Sequence, residues 1–128
     1  MIKKPMAILA LAAVGLLTAA CGGGDPESVS IDLEVRGRQL VGNDVLSAKK
    51  GDTVALNWTS DESVTIHLHG YNIEETVTPG ETTTFAFTAD AEGHFMIEAH
   101  GFGAADGDHH AEEEDGGVTL GYFDVLPR

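Results

Sequence analysis

Hydrophobic and polar residues alternate along most of the chain beyond residue 28, and a period of two predicts half-buried strands. Ile31, Leu33 and Val35 alternate with Asp32, Glu34 and Arg36. A Gly51-Asp52 turn leads into a strand over Thr53 to Thr59, where Val54, Leu56 and Trp58 share one face. The polar stretch Ser60-Asp61-Glu62-Ser63 separates it from a strand over Val64 to His69. Ile73 to Val77 follows, then Pro79-Gly80, a type II turn signal. Thr83, Phe85 and Phe87 mark the next strand, and Gly93 opens one carrying Phe95, Ile97 and Ala99. A last strand over Val118 to Val125 carries Leu120 and closes near Pro127. Turn signals at intervals of roughly 8 to 12 residues predict an all-β, antiparallel Greek-key sandwich of about seven or eight strands.

The same alternation assigns the opposite faces. With Val64, Ile66 and Leu68 inward, Thr65, His67 and His69 point outward. With Phe95, Ile97 and Ala99 inward, His94, Met96, Glu98 and His100 point outward too. Four of the six histidines therefore fall on the outer face of two strands.

The N-terminal segment follows a different pattern. Lys3 and Lys4 precede an uncharged apolar run from Met6 to Leu17. That run is shorter than the about 20 residues needed to span a bilayer, and it suits a signal-peptide core. Leu17-Thr18-Ala19-Ala20-Cys21 resembles a bacterial lipoprotein lipobox, with Thr18 standing where Leu is commoner. The resemblance implies that Cys21 becomes a lipidated N-terminus, followed by the flexible Gly22-Gly23-Gly24. The expected organisation is a signal peptide over 1–20, lipidated Cys and tether over 21–28, and a domain over 29–128. It also implies a membrane-anchored protein of the bacterial cell envelope, facing the periplasm. Gly22 in place of Asp implies the outer membrane if the host is Gram-negative.

Loss of Lys3 and Lys4 with the signal peptide moves the formal charge from −14 to −16. Such an acidic domain is excluded as a nucleic-acid backbone binder, and a basic patch for anionic lipid is absent. Cys21 is the only cysteine. Once it is lipidated, the domain has no thiolate and no intrachain disulfide.

Three segments occur in the order "KKGDTVALNW", "PGETTTFAFTADAEGHF" and "LGYFDV". Together, over roughly Leu46 to Leu126, they resemble the cupredoxin-like superfamily. "HLHGY" is similar to a motif of a subset of bacterial cupredoxin-like lipoproteins. The resemblance implies the sandwich fold and a link to copper. A blue-copper site needs a Cys thiolate, two His and usually a weak axial Met. Matching Gly93-x-Phe95-x-Ile97 to the strand before the family's copper Cys puts that Cys at Ala99. The downstream His then falls near Phe102 and the axial Met near Thr119. All three ligands are missing, so thiolate copper is excluded.

Any metal must therefore sit elsewhere. The family's strands equivalent to Val64–His69 and Gly93–His100 are antiparallel neighbours. Placing Val64 opposite Ala99 sets His67 against Met96 and His69 against His94, with Cβ atoms about 4.5–5.5 Å apart. His67, His69, His94, Met96, Glu98 and His100 would then be a mixed imidazole and thioether set. Thioether favours Cu(I), and imidazole accepts copper, zinc or another divalent metal. A second candidate is the loop 101–117, which holds His109 and His110 among Asp106, Asp108, Glu112, Glu113, Glu114 and Asp115. It has no EF-hand spacing.

No serine stands in a nucleophile context, and neither a phosphate-binding glycine loop nor a zinc-protease His-Glu-x-x-His pattern occurs. Three readings follow. The chain is a lipid-anchored domain that handles metal, exchanging it with a donor or acceptor protein. Alternatively, it is a metal-free module that binds a protein partner, or a thiolate-free copper redox protein.

Overall fold

A computed structural model describes residues 23–42, 45–103 and 117–128. The signal segment, Cys21 and the His109–His110 loop lie outside the described residues. Among the described residues nine strands form: β1 (Ser28–Arg36), β2 (Gln39–Val41), β3 (Val45–Lys49), β4 (Thr53–Ser60), β5 (Val64–Leu68), β6 (Ile73–Val77), β7 (Thr83–Thr88), β8 (Gly93–His100) and β9 (Val118–Leu126). They build two sheets, β2-β1-β4-β7 and β3-β9-β8-β5-β6. The expected all-β sandwich is what forms. Within it, β1 runs parallel to β4 and β3 parallel to β9, while the other pairs are antiparallel.

The alternating apolar faces make the core. Val54, Leu56 and Trp58 of β4 meet Val64, Ile66 and Leu68 of β5, Ile97 of β8 and Phe123 of β9, all fully buried. Each such large side chain contributes about 1.5–3 kcal/mol by leaving water. The Trp58 ring lies 6.0 Å from Phe85, and its buried Nε1 has no partner among the described residues.

The two short strands β2 and β3 carry too little alternation to announce themselves. β2 exists because Gly37 and Arg38 both take positive φ, 57° and 65°, the geometry of a tight hairpin turn. Arg38 is held there by Glu62 at 2.7 Å and lies over the Phe102 ring, 5.0 Å from its centroid.

One polar residue organises the opposite end of the sandwich. Asp52 is buried, yet its carboxylate accepts the backbone N–H groups of Glu27 and Lys49 at 2.9 and 2.8 Å, and the Arg128 guanidinium. Arg128 in turn donates to the carbonyls of Gly24, Asp25 and Lys50. The Glu27 and Lys49 amides, aided by Arg128, hold the Asp52 carboxyl below the usual carboxylate range against the opposing effect of burial.

Candidate functional site

The outer face of the five-stranded sheet collects the histidines, as the alternation requires. The register differs from the expected one. Ile66, not Val64, lies opposite Ala99, so His67 faces Glu98 and Thr65 faces His100. The end of this pair is fixed by the Gly103 N–H, which donates to the Ser63 carbonyl at 2.8 Å. A slip of two residues keeps every side chain on its face and changes only its neighbours.

The new neighbours split the expected cluster. His94 does not meet His69. It pairs through Nδ1 with Asp124 of β9 and stacks on Tyr122, ring centroids 4.2 Å apart at 15°. Met96 stays outward, because the irregularity beside it belongs to β9, where Leu120 is an extra inward residue. The Met96 sulfur accepts the Thr119 hydroxyl at 3.6 Å, and Thr119 lies opposite Glu98. The His69 N–H donates to the Met96 carbonyl at 3.0 Å, so continuing the register sets Met96 beside His69.

The remaining groups form a contiguous imidazole–carboxylate network. His69 Nε2 lies 2.8 Å from Glu98 Oε2. The His67 and His69 rings sit 4.0 Å apart. His67 Nδ1 is 3.5 Å from Glu74 Oε2, and His100 Nε2 is 3.7 Å from the same oxygen. Glu74 is the residue the sequence reading missed. The hairpin of β5 and β6 places it opposite His67, and Gly70 and Asn72, both at positive φ, were the available turn signals. Among the described residues, no three His, Cys, Asp or Glu side chains converge on a metal-holding point. Within the network the His69–Glu98 contact is a hydrogen bond, and the two contacts to Glu74 are longer.

Each letter of the His67-Leu68-His69-Gly70-Tyr71 motif has a physical task. Leu68 is core, and the two histidines flank it on the outer face. Gly70 has φ 82°, and a Cβ there would sit 2.3 Å from the Phe95 ring, so no side chain fits. Tyr71 packs on Phe87 and Phe95, and its hydroxyl donates to the Ala91 carbonyl at 3.0 Å. Partial burial raises the Tyr71 pKa, against the Ala91 hydrogen bond. The turn that carries His69 is thereby pinned to the turn before β8.

The positions at which a thiolate copper site would stand do not fit that metal. Ala99 is fully buried with an apolar methyl, Phe102 packs on the core beneath Arg38, and Thr119 is engaged with Met96 on the outer face.

Comparison with protein families and with curated protein sequences gives no match. Solved structures do match. A heme-copper terminal oxidase chain aligns at TM-score 0.56 and 22% identity, over 73% of this chain and 62% of that one. A copper-containing nitrite reductase from Thermus scotoductus aligns at 0.52 and 27%, over 79% of this chain and 28% of that one. A multi-copper oxidase from Pseudomonas thermotolerans aligns at 0.56 and 20%, over 81% and 31%. This chain thus spans less than two thirds of each. The sandwich of nine strands has the cupredoxin-like fold.

Proposed function

We propose that the protein is a lipid-anchored cell-envelope domain that binds copper at a thiolate-free site on the outer face of its five-stranded sheet. The observation that carries this reading is the contiguous set of His67, His69, His100, Glu74 and Glu98, with the Met96 thioether beside it. His67 and His69 would hold the ion, Glu74 and Met96 would complete a mixed nitrogen, oxygen and sulfur surround, and Glu98 would stand behind the His69 ring. A bound ion would replace the looser contacts of His67 and His100 with Glu74, which is inexpensive at half-exposed positions. Copper would be received from, or passed to, a partner protein in the envelope. His94, held by Asp124, and His109 and His110 are subsidiary donors in this reading.

Titration of the full-length chain with Cu(I), Cu(II) and Zn(II) tests it. One copper should bind, and the Cu(II) form should lack the intense visible thiolate-to-copper band. His67→Ala and His69→Ala should each weaken copper binding tenfold or more, each decade being about 1.4 kcal/mol. Met96→Leu should affect Cu(I) more than Zn(II). Replacing His109 and His110 together should leave affinity nearly unchanged. Absence of any binding by the wild type hands the function to the protein-binding module reading. For the anchor, Cys21→Ser should release the protein from membranes; a wild-type protein already soluble with an unmodified Cys overturns that part.

A further inference from the structure

Glu98 is the carboxylate in contact with His69, and its seat is unusual. Its side chain lies directly over the backbone of Gly117, the residue just before β9. A Cβ at Gly117 would fall 1.6 Å from Glu98 Oε1, 2.4 Å from Cδ and 2.6 Å from Cγ. Gly117 is not in the left-handed region, so its requirement is room rather than conformation. Removing that room displaces the whole carboxylate.

The consequence reaches His69. An ionised carboxylate only accepts hydrogen bonds. With Glu98 Oε2 at 2.8 Å from His69 Nε2, neutral His69 must carry its proton on Nε2, which leaves the lone pair on Nδ1. His67 shows the opposite arrangement, with Nδ1 turned toward Glu74 and Nε2 left for another partner. Metal-binding histidines are commonly fixed in this way by a carboxylate behind the ring.

We infer that Gly117 and Glu98 together are positioning residues: Gly117 seats the Glu98 carboxylate, which holds His69 as the Nε2–H tautomer and leaves the lone pair on Nδ1. Glu98 then acts behind the ring rather than as a ligand. This rests on the copper-site reading for its purpose, although the tautomer itself can be observed without metal.

The test is nitrogen-edited NMR of the His69 ring in the metal-free, full-length chain at pH 8, with Trp58 emission and thermal melting as checks on folding. Wild type should show the Nε2–H tautomer. Glu98→Gln, which keeps an accepting oxygen, should retain it. Glu98→Ala and Gly117→Ala should both lose it and weaken copper binding about tenfold, at the lower end for residues behind a ligand. If Gly117→Ala does not fold, the double variant with Glu98→Ala should fold again, because the collision is gone; failure there counts against the seating. An Nδ1–H tautomer in the wild type, or an unchanged His69 signal in Glu98→Ala, overturns the inference. A wild-type protein with the expected tautomer and no copper affinity instead overturns the copper reading and leaves the positioning intact.

Discussion

Two carboxylates organise opposite parts of this molecule, and their surroundings give them different work. Asp52 is 2% exposed and is met by two backbone amides and a guanidinium. Its partners are Glu27 just before β1, Lys49 at the end of β3 and Arg128, so the network joins chain segments far apart in sequence. The Glu98 side chain is 27% exposed and meets one imidazole on a neighbouring strand. Its partner can be exchanged for water or an ion at small cost. Burial turns a carboxylate into a structural joint, whereas partial exposure leaves it available for exchange.

Four measurements would break or sharpen this contrast. Asp52→Ala should give the largest fall in thermal midpoint, because it leaves two backbone amides without their acceptor and takes the carboxylate away from Arg128 at once; Glu98→Ala should shift the midpoint far less. Equal shifts would erase the distinction. Next comes Gly70→Ala, which meets the Phe95 ring and an unfavourable φ together. A loss of about 1–3 kcal/mol in chemical unfolding is expected, and a smaller one would mean that the His69 turn is not rigidly built.

The third is acid stability. Native Asp52 titrates below its unfolded value, so its contribution is full above the usual carboxylate range near about pH 4. It is lost as pH falls through the lowered native value. Asp52→Asn should flatten that acid limb of the stability curve, and an unchanged limb would assign it to other groups. The smallest effect belongs to the open face: His67→Ala and His69→Ala should change metal-free stability by no more than about 0.5 kcal/mol. A larger loss in urea titration would make those histidines structural.

Much of the fold was legible because burial imposes a period of two. Val54, Leu56, Trp58, Val64, Ile66, Leu68, Ile97 and Ala99 all face the core as the pattern requires. The strands β2 and β3 were not legible, since one depends on a Gly37-Arg38 turn and the other on pairing with β9. The outward placement of His67, His69, His94, Met96, Glu98 and His100 was legible for the same reason as the core.

Their grouping was not. By itself the sequence determined which residues face water, that no cysteine follows residue 21, and that the core is a β-sandwich. Only the tertiary structure decided that His67 and His100 meet Glu74, that His69 meets Glu98 and that His94 belongs with Asp124. The reason is that alternation is blind to a slip of two residues. Such a slip leaves each apolar side chain buried and each polar one exposed, and the choice falls to turn closure, here the bond from Gly103 to Ser63.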